Sequence, residues 1–151
     1  MKESGQKQER IALFPGSFDP FTIGHQSLVK RGLALADRII IAIGINENKQ
    51  SCFPLEERLT AIRSLFQDDP RIEVITYHTL TTDLAEKTGA QFILRGIRSV
   101  IEYEKTIADI NRTLTGIETV FLLAEPQYAH ISSSAVRELL HFGKDVSAFL
   151  P

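Results

Sequence analysis

Short apolar runs alternate along this chain with longer stretches in which apolar residues recur every three or four positions. Arg10 to Phe14, Ile39 to Ile45, Ile72 to Tyr77, Phe92 to Leu94 and Val120 to Leu123 are the short runs, and each reads as a strand. The second is β-branched without a polar alternate, the pattern of a strand covered on both faces. Between the runs lie helical stripes: Leu28, Val29, Leu33 and Leu35-Ala36; then Leu55, Leu59, Ile62 and Phe66, with Pro54 as the first helical residue. A shorter helix opens at Leu80-Thr81-Thr82-Asp83 and stops at Gly89, and another spans Glu102 to Thr115 with Ile107, Ile110 and Leu114 on its inner face. A last helix begins in Ser132-Ser133-Ser134. The alternation predicts an α/β fold: a single doubly wound, Rossmann-like domain with a five-stranded parallel sheet flanked by helices.

Right-handed crossovers bring the loops after the strands to one sheet edge, where such folds bind ligands. The loop from Pro15 to His25 carries two glycines, two prolines and the donors Ser17, Thr22 and His25 around a helix start. Free N–H groups and the positive end of the helix dipole make that a phosphate site. A tight turn with Thr22 as an ordinary N-cap would need the same residues. Asn46 to Ser51 is a polar loop at the same edge, and its Lys49 is either a solvated lysine or a phosphate contact. Arg95-Gly96-Ile97-Arg98 puts two cations at a strand end. The hydroxyls of Ser132 to Ser134 make either a simple cap or a second helix N-terminus for phosphate oxygens.

Composition narrows the partners. The 151 residues, 43% hydrophobic with a formal charge of -2, can bury a sizeable core and are not a broad nucleic-acid binder. Residues 1–9 are polar and aperiodic and read as a flexible tail ahead of a domain over 10–151. No apolar run is long enough to cross a bilayer, and the N-terminal stretch has no apolar signal core, which points to a cytoplasmic protein without membrane partners. The one cysteine, Cys52, excludes an internal disulfide and reads as a packed thiol rather than a nucleophile. There is no P-loop, G-x-G-x-x-G or nucleophile elbow. Cations, backbone amides and one histidine remain, the parts for phosphoryl or nucleotidyl transfer by positioning and charge stabilisation. A phosphate acceptor, with a second pKa of about 6, needs no general base.

The run Gly16-Ser17-Phe18-Asp19-Pro20 with Thr22-Ile23-Gly24-His25, the Arg95 to Arg98 loop and Ile131-Ser132-Ser133-Ser134 resemble the bacterial phosphopantetheine adenylyltransferases of the T/H-x-G-H nucleotidyltransferase superfamily. The likeness runs from about Arg10 to Pro151. It implies adenylyl transfer from ATP to 4′-phosphopantetheine with Mg²⁺ carried on the ATP phosphates, yielding dephospho-coenzyme A and pyrophosphate in the penultimate step of coenzyme A synthesis. It implies that His25, Lys49 and Arg95 are catalytic and that Ser17, Lys49, Thr81 and Arg95 contact the acceptor. ATP would meet Ser17, Phe18, His25, Gly96, Ile97, Arg98, Glu104, Tyr128, Ala129, His130, Ile131, Ser132, Ser133 and Ser134. The family further implies a homohexamer and coenzyme A as a feedback ligand. Ser17 stands where the family usually has threonine, the stretch between Arg98 and Tyr103 is about two residues short of the usual length, and relatives commonly continue beyond the position of Pro151. Rival acceptors are nicotinate or nicotinamide mononucleotide and, with CTP, glycerol phosphate; those relatives usually carry histidine at position 22. A nucleotide sensor without turnover is the alternative from another class.

Overall fold

The structure, a computed structural model, describes residues 7–98 and 101–151. The expected polar tail therefore lies largely outside the described residues, as does the middle of the short stretch after Arg98. Five parallel strands, β1 (Ile11–Gly16), β2 (Arg38–Gly44), β3 (Ile72–Tyr77), β4 (Phe92–Ile97) and β5 (Glu118–Leu123), stand in the order β3-β2-β1-β4-β5. The helices α1 (Ile23–Gly32), α2 (Leu55–Leu65), α3 (Thr81–Thr88), α4 (Ile101–Thr115) and α5 (Ser133–His141) follow the strands in turn. The doubly wound fold read from the alternation is the fold observed.

Two core layers explain why the central strands lack a polar face. Phe14, Ile39, Ile41 and Ile43 pack with Val29, Ile62 and Phe66 of the α1 and α2 side. On the other face Leu13, Ile40, Ala42 and Ile93 pack with Leu84 and Ala85 of α3. Burial on both faces is what favours an unbroken β-branched run. The left-handed Gly89 (φ 74°) closes α3, as its position predicted.

Strand order reverses between β1 and β4, and there the ladder opens. The two strands pair only at Ala12 with Phe92 and Leu13 with Ile93, whereas β1 stays paired with β2 through Pro15 and Gly16. Pro15 has no N–H to lose on the open side. β1 thus runs two residues past Phe14, and β4 continues through Arg95, Gly96 and Ile97, which the sequence reading had placed in a loop. The split between β1 and β4 is the crevice in which open parallel sheets hold ligands.

Three expectations are corrected. α4 has no buried residue: Ile107, Ile110 and Leu114, expected on an inner face, are 39%, 48% and 60% exposed. The helical spacing reports an amphipathic helix but cannot say what covers its apolar side. Cys52 is exposed rather than packed. Pro54 is the N-cap of α2 and not its first helical residue, the usual one-residue uncertainty at a helix end.

Candidate active site

The helix that opens at Thr22 starts with a reciprocal cap. Thr22 Oγ1 accepts the His25 N–H at 3.3 Å, and the Thr22 N–H donates to His25 Nδ1 at 2.9 Å. This is a capping box in which histidine takes the place that Glu or Gln normally holds. Helix initiation therefore fixes the imidazole, and the spacing of Thr22-Ile23-Gly24-His25 has a geometric reason.

The same bonds fix the proton. Nδ1 accepts from the backbone and lies 3.1 Å from the Thr22 hydroxyl, so a neutral ring carries its hydrogen on Nε2, assigned from this network. The ring packs on Phe18 edge-on at 5.1 Å and against Phe21 at 5.2 Å. That apolar burial first, and then the Arg95 and Arg98 guanidiniums, lower its pKa from 6.5 to about 3. At neutral pH His25 is an uncharged donor, held among cations.

Phe18 itself stands at φ 48°, in the left-handed region, and is 3% exposed. The strain is held by its packing between Phe14 and Phe21. Its ring also fills the slot over Gly16, where an added Cβ would come within 2.8 Å of the Phe18 ring. Glycine at position 16 is required by this close approach.

The β1–α1 loop is tied to two other elements. The buried Asp19 carboxylate accepts the N–H groups of Cys52 and Phe53, each at 2.7 Å, ahead of α2. Arg58, also buried, donates to the carbonyls of Ser17 (2.7 Å) and Phe53 (3.0 Å). From α5, Ser133 Oγ donates to the Pro20 carbonyl at 2.8 Å and Arg137 to the Asp19 carbonyl at 2.9 Å. Asp19, Arg58 and Arg137 were given no role from sequence. Arg58 and Arg137 sit in ordinary helical segments, and only Asp19, between glycine and proline punctuation, offered any local signal.

Two cavities meet at the split between β1 and β4. One, of about 330 Å³, is lined by Ser17, Phe18, Gly24, His25, Arg95, Gly96, Arg98, Tyr128 and Ile131 to Ser134, and also by Ser27, Arg31, Glu125 and Arg137. The other, of about 500 Å³, runs from Ser17 and Arg95 past Tyr77 and Thr81 to the α4 residues Ile107, Ile110 and Leu114. Arg95 and Glu104 line both. Arg95 donates to Glu104 through Nε at 3.2 Å and Nη2 at 2.7 Å, and through Nη1 to the Pro15 carbonyl at 2.8 Å, across the open ladder. Glu104 thus grips the arginine fork where the cavities join. Arg98 donates to the Ile131 carbonyl at 2.8 Å. Ser132 caps α5 by accepting the Ala135 N–H at 3.1 Å.

Most of the residues singled out from sequence converge here; a few do not. Thr81 lines the larger cavity and shares a 2.9 Å hydrogen bond with the Tyr77 hydroxyl. Lys49, exposed in its loop, lines neither cavity, and neither do Ile97, Ala129 and His130.

The cytidylyltransferase-like family matches residues 13–139. Phosphopantetheine adenylyltransferases of Phocaeicola vulgatus and Bacteroides thetaiotaomicron are 60% and 58% identical over 144 residues, covering 94% of this chain and 95% of each relative. That of Limosilactobacillus reuteri is 44% identical over 94% of this chain and 84% of its own length. A solved bifunctional NMN adenylyltransferase/ADP ribose pyrophosphatase from Francisella tularensis superposes with a TM-score of 0.72 at 17% identity, over 95% of this chain and 45% of that one. At that identity the likeness concerns the fold alone.

Proposed function

The chain belongs to the cytidylyltransferase-like family and, within it, to the phosphopantetheine adenylyltransferases, and from that membership we propose how its site works. The enzyme transfers the adenylyl group of ATP to 4′-phosphopantetheine, giving dephospho-coenzyme A and pyrophosphate. Residues 10–151 are the transferase domain. ATP occupies the smaller cavity and the acceptor the larger, with both phosphate ends meeting at Arg95.

The acceptor phosphate, largely dianionic at neutral pH, attacks the α-phosphorus in line. A P–O bond forms as the bond to the β-phosphate oxygen breaks, and pyrophosphate leaves with the electron pair. No covalent enzyme intermediate arises. The geometry that carries this reading is His25, fixed by the helix cap in the smaller cavity that Arg95 and Arg98 also line, with its Nδ1 occupied by the cap so that Nε2 is left to donate. Such a donor acts on charge redistributed to the non-bridging oxygens in the transition state. With Nδ1 occupied by the Thr22 N–H and its pKa lowered to about 3, the ring does not compete as a base.

Arg95 and Lys49 hold phosphates near the reaction centre, with Ser17 and Thr81 on the acceptor. Phe18, Gly96 to Arg98, Glu104 and the segment Tyr128 to Ser134 receive ATP. Lys49 reaches the acceptor from its exposed loop. Mg²⁺ would arrive on the ATP phosphates, which meet the cations Arg95 and Arg98 lining the smaller cavity. It would neutralise phosphate charge there.

The working form is a homohexamer in the cytoplasm. The apolar side of α4, continued by Leu80 and Leu123 at 62% and 70% exposure, supports association. Coenzyme A, which joins the acceptor arm to the adenylate, is the feedback ligand. A panel of acceptors with ATP or CTP, followed by pyrophosphate release, tests the whole reading. Turnover only with a mononucleotide acceptor would overturn it, and ATP binding without turnover would make the protein a sensor.

A further inference from the structure

One carboxylate in the smaller cavity has no place among phosphates. Glu125 lines it, yet Oε1 accepts from the Ser27 hydroxyl at 2.5 Å and Oε2 from Gln127 Nε2 at 2.6 Å, both neutral donors. Among the described residues it has no ion pair within 4 Å, in contrast to Glu104, which Arg95 neutralises. A bare carboxylate repels a polyphosphate at close range. It therefore marks the end of the cavity where the nucleotide carries no phosphate.

The helix sets the direction. Gly24, Ser27, Leu28 and Arg31 form the α1 stripe that faces the cavity. Gly24 stands at the positive N-terminus of the helix, beside the phosphate donors; Ser27 lies about 4.5 Å further along and Arg31 about 10.5 Å, at about 1.5 Å per residue. Glu125 is held by Ser27 on that stripe, displaced from the phosphate donors towards the C-terminal end of the helix. Each Glu125 oxygen keeps an acceptor position after its protein bond.

We propose that Glu125 is a specificity-determining residue for the nucleotide: its carboxylate accepts from the exocyclic amine of the donor base and rejects bases that present a carbonyl there. The inference rests on the smaller cavity being the ATP site. An amine donates to a carboxylate, whereas the carbonyl of a 6-oxo purine meets it lone pair to lone pair, so one atom of the base is read by sign. Ser27 and Gln127 hold the group in place without neutralising it.

The test compares kcat/KM for ATP, ITP and 2′-deoxy-ATP with saturating phosphopantetheine and Mg²⁺, in the natural chain, Glu125→Gln and Ser27→Ala. Glu125→Gln is near-isosteric and can turn its amide towards a carbonyl. It should lower the ATP-to-ITP preference by about 10-fold to 100-fold, the worth of a hydrogen bond to a charged group, with the ATP-to-2′-deoxy-ATP ratio unchanged. Ser27→Ala should move the preference the same way by less. An unaltered ATP-to-ITP ratio in Glu125→Gln, or a change confined to the 2′-deoxy ratio, overturns the proposal, the latter because Glu125 then reads the ribose. Should the natural chain fail to turn over phosphopantetheine, the adenylyltransfer reading falls instead, and the same ratio measured as ATP and ITP dissociation constants decides the role of Glu125.

Discussion

The two sides of the split between β1 and β4 are built differently. Beside the smaller cavity the β1–α1 loop is bound to α2 through Asp19 and Arg58 and to α5 through Ser133 and Arg137, and its histidine is locked by a cap. Beside the larger cavity, which Asn46 lines, Lys49 sits in a loop closed on itself, with the N–H groups of Asn48 and Lys49 donating back to Asn46 at 3.1 and 3.2 Å, and α4 leaves its apolar stripe exposed. Groups that must meet transition-state charge work best when they need no reorganisation. Groups that receive a long, flexible acceptor can tolerate movement. On the proposed function, preorganisation falls where it would bear on rate and openness where it would bear on binding.

The largest effect that could break this contrast is at His25. Replacing it by Ala should lower kcat by on the order of 10²-fold to 10³-fold while ATP and acceptor dissociation constants change far less. Loss of ATP affinity with near-normal kcat would make the ring a binding group. Its neutrality is separately visible. Because the folded pKa of about 3 lies below the unfolded 6.5, the native state binds fewer protons between those values. The stability contribution is full above about pH 6.5 and falls as pH drops towards 3, which His25→Ala should abolish in denaturation series.

Asp19→Asn comes next. Asparagine keeps the shape but sets an NH₂ against a backbone N–H, so chemical denaturation should show a loss of about 2 to 3 kcal/mol. A loss below about 0.5 kcal/mol, within the range of an ordinary surface change, would mean that the tie between the loops holds little. On the open side, Leu114→Asp should shift light-scattering mass towards the 16.9 kDa of a single chain, since each buried leucine contributes about 1.5 to 3 kcal/mol to an interface. Unchanged assembly would take the α4 stripe out of it. The smallest effect is expected for Lys49→Ala, about tenfold in acceptor affinity with ATP affinity unchanged. No change there would leave Lys49 a solvated side chain, as its exposure alone suggests.

What could be read from the sequence follows this division. The strand and helix order was legible because a two-sided parallel sheet demands unbroken β-branched runs such as Ile39 to Ile43, and because backbone punctuation at Gly89 is local. His25, Arg95 and the Ser132 to Ser134 start were legible because strand ends and helix starts converge by topology. Arg58 and Arg137 were not, since each acts by donating to carbonyls far away in the chain, Ser17 and Asp19, that leave no trace in spacing. Glu104 was legible only as a nucleotide contact by resemblance, whereas its partner in the fold is Arg95. The apolar stripe of α4 was read correctly as a stripe and wrongly as inward, because periodicity carries no information about which surface lies opposite.

Thr22 carries a consequence for anyone who would redesign this protein. One hydroxyl and one amide at that position begin α1 and, through Nδ1, decide which nitrogen of His25 holds the hydrogen. A search for more thermostable variants would sample position 22 as it samples any helix start, where Asp and Asn rank with or above Thr as caps. Asparagine and aspartate would cap well and still place a new polar group against the imidazole, and a carboxylate there would draw a second proton onto the ring. Selection for heat resistance alone would then enrich enzymes in which the Thr22 hydroxyl no longer stands against Nδ1 of the ring. Position 22 should therefore be held constant in such libraries, with stability sought in the other four helices.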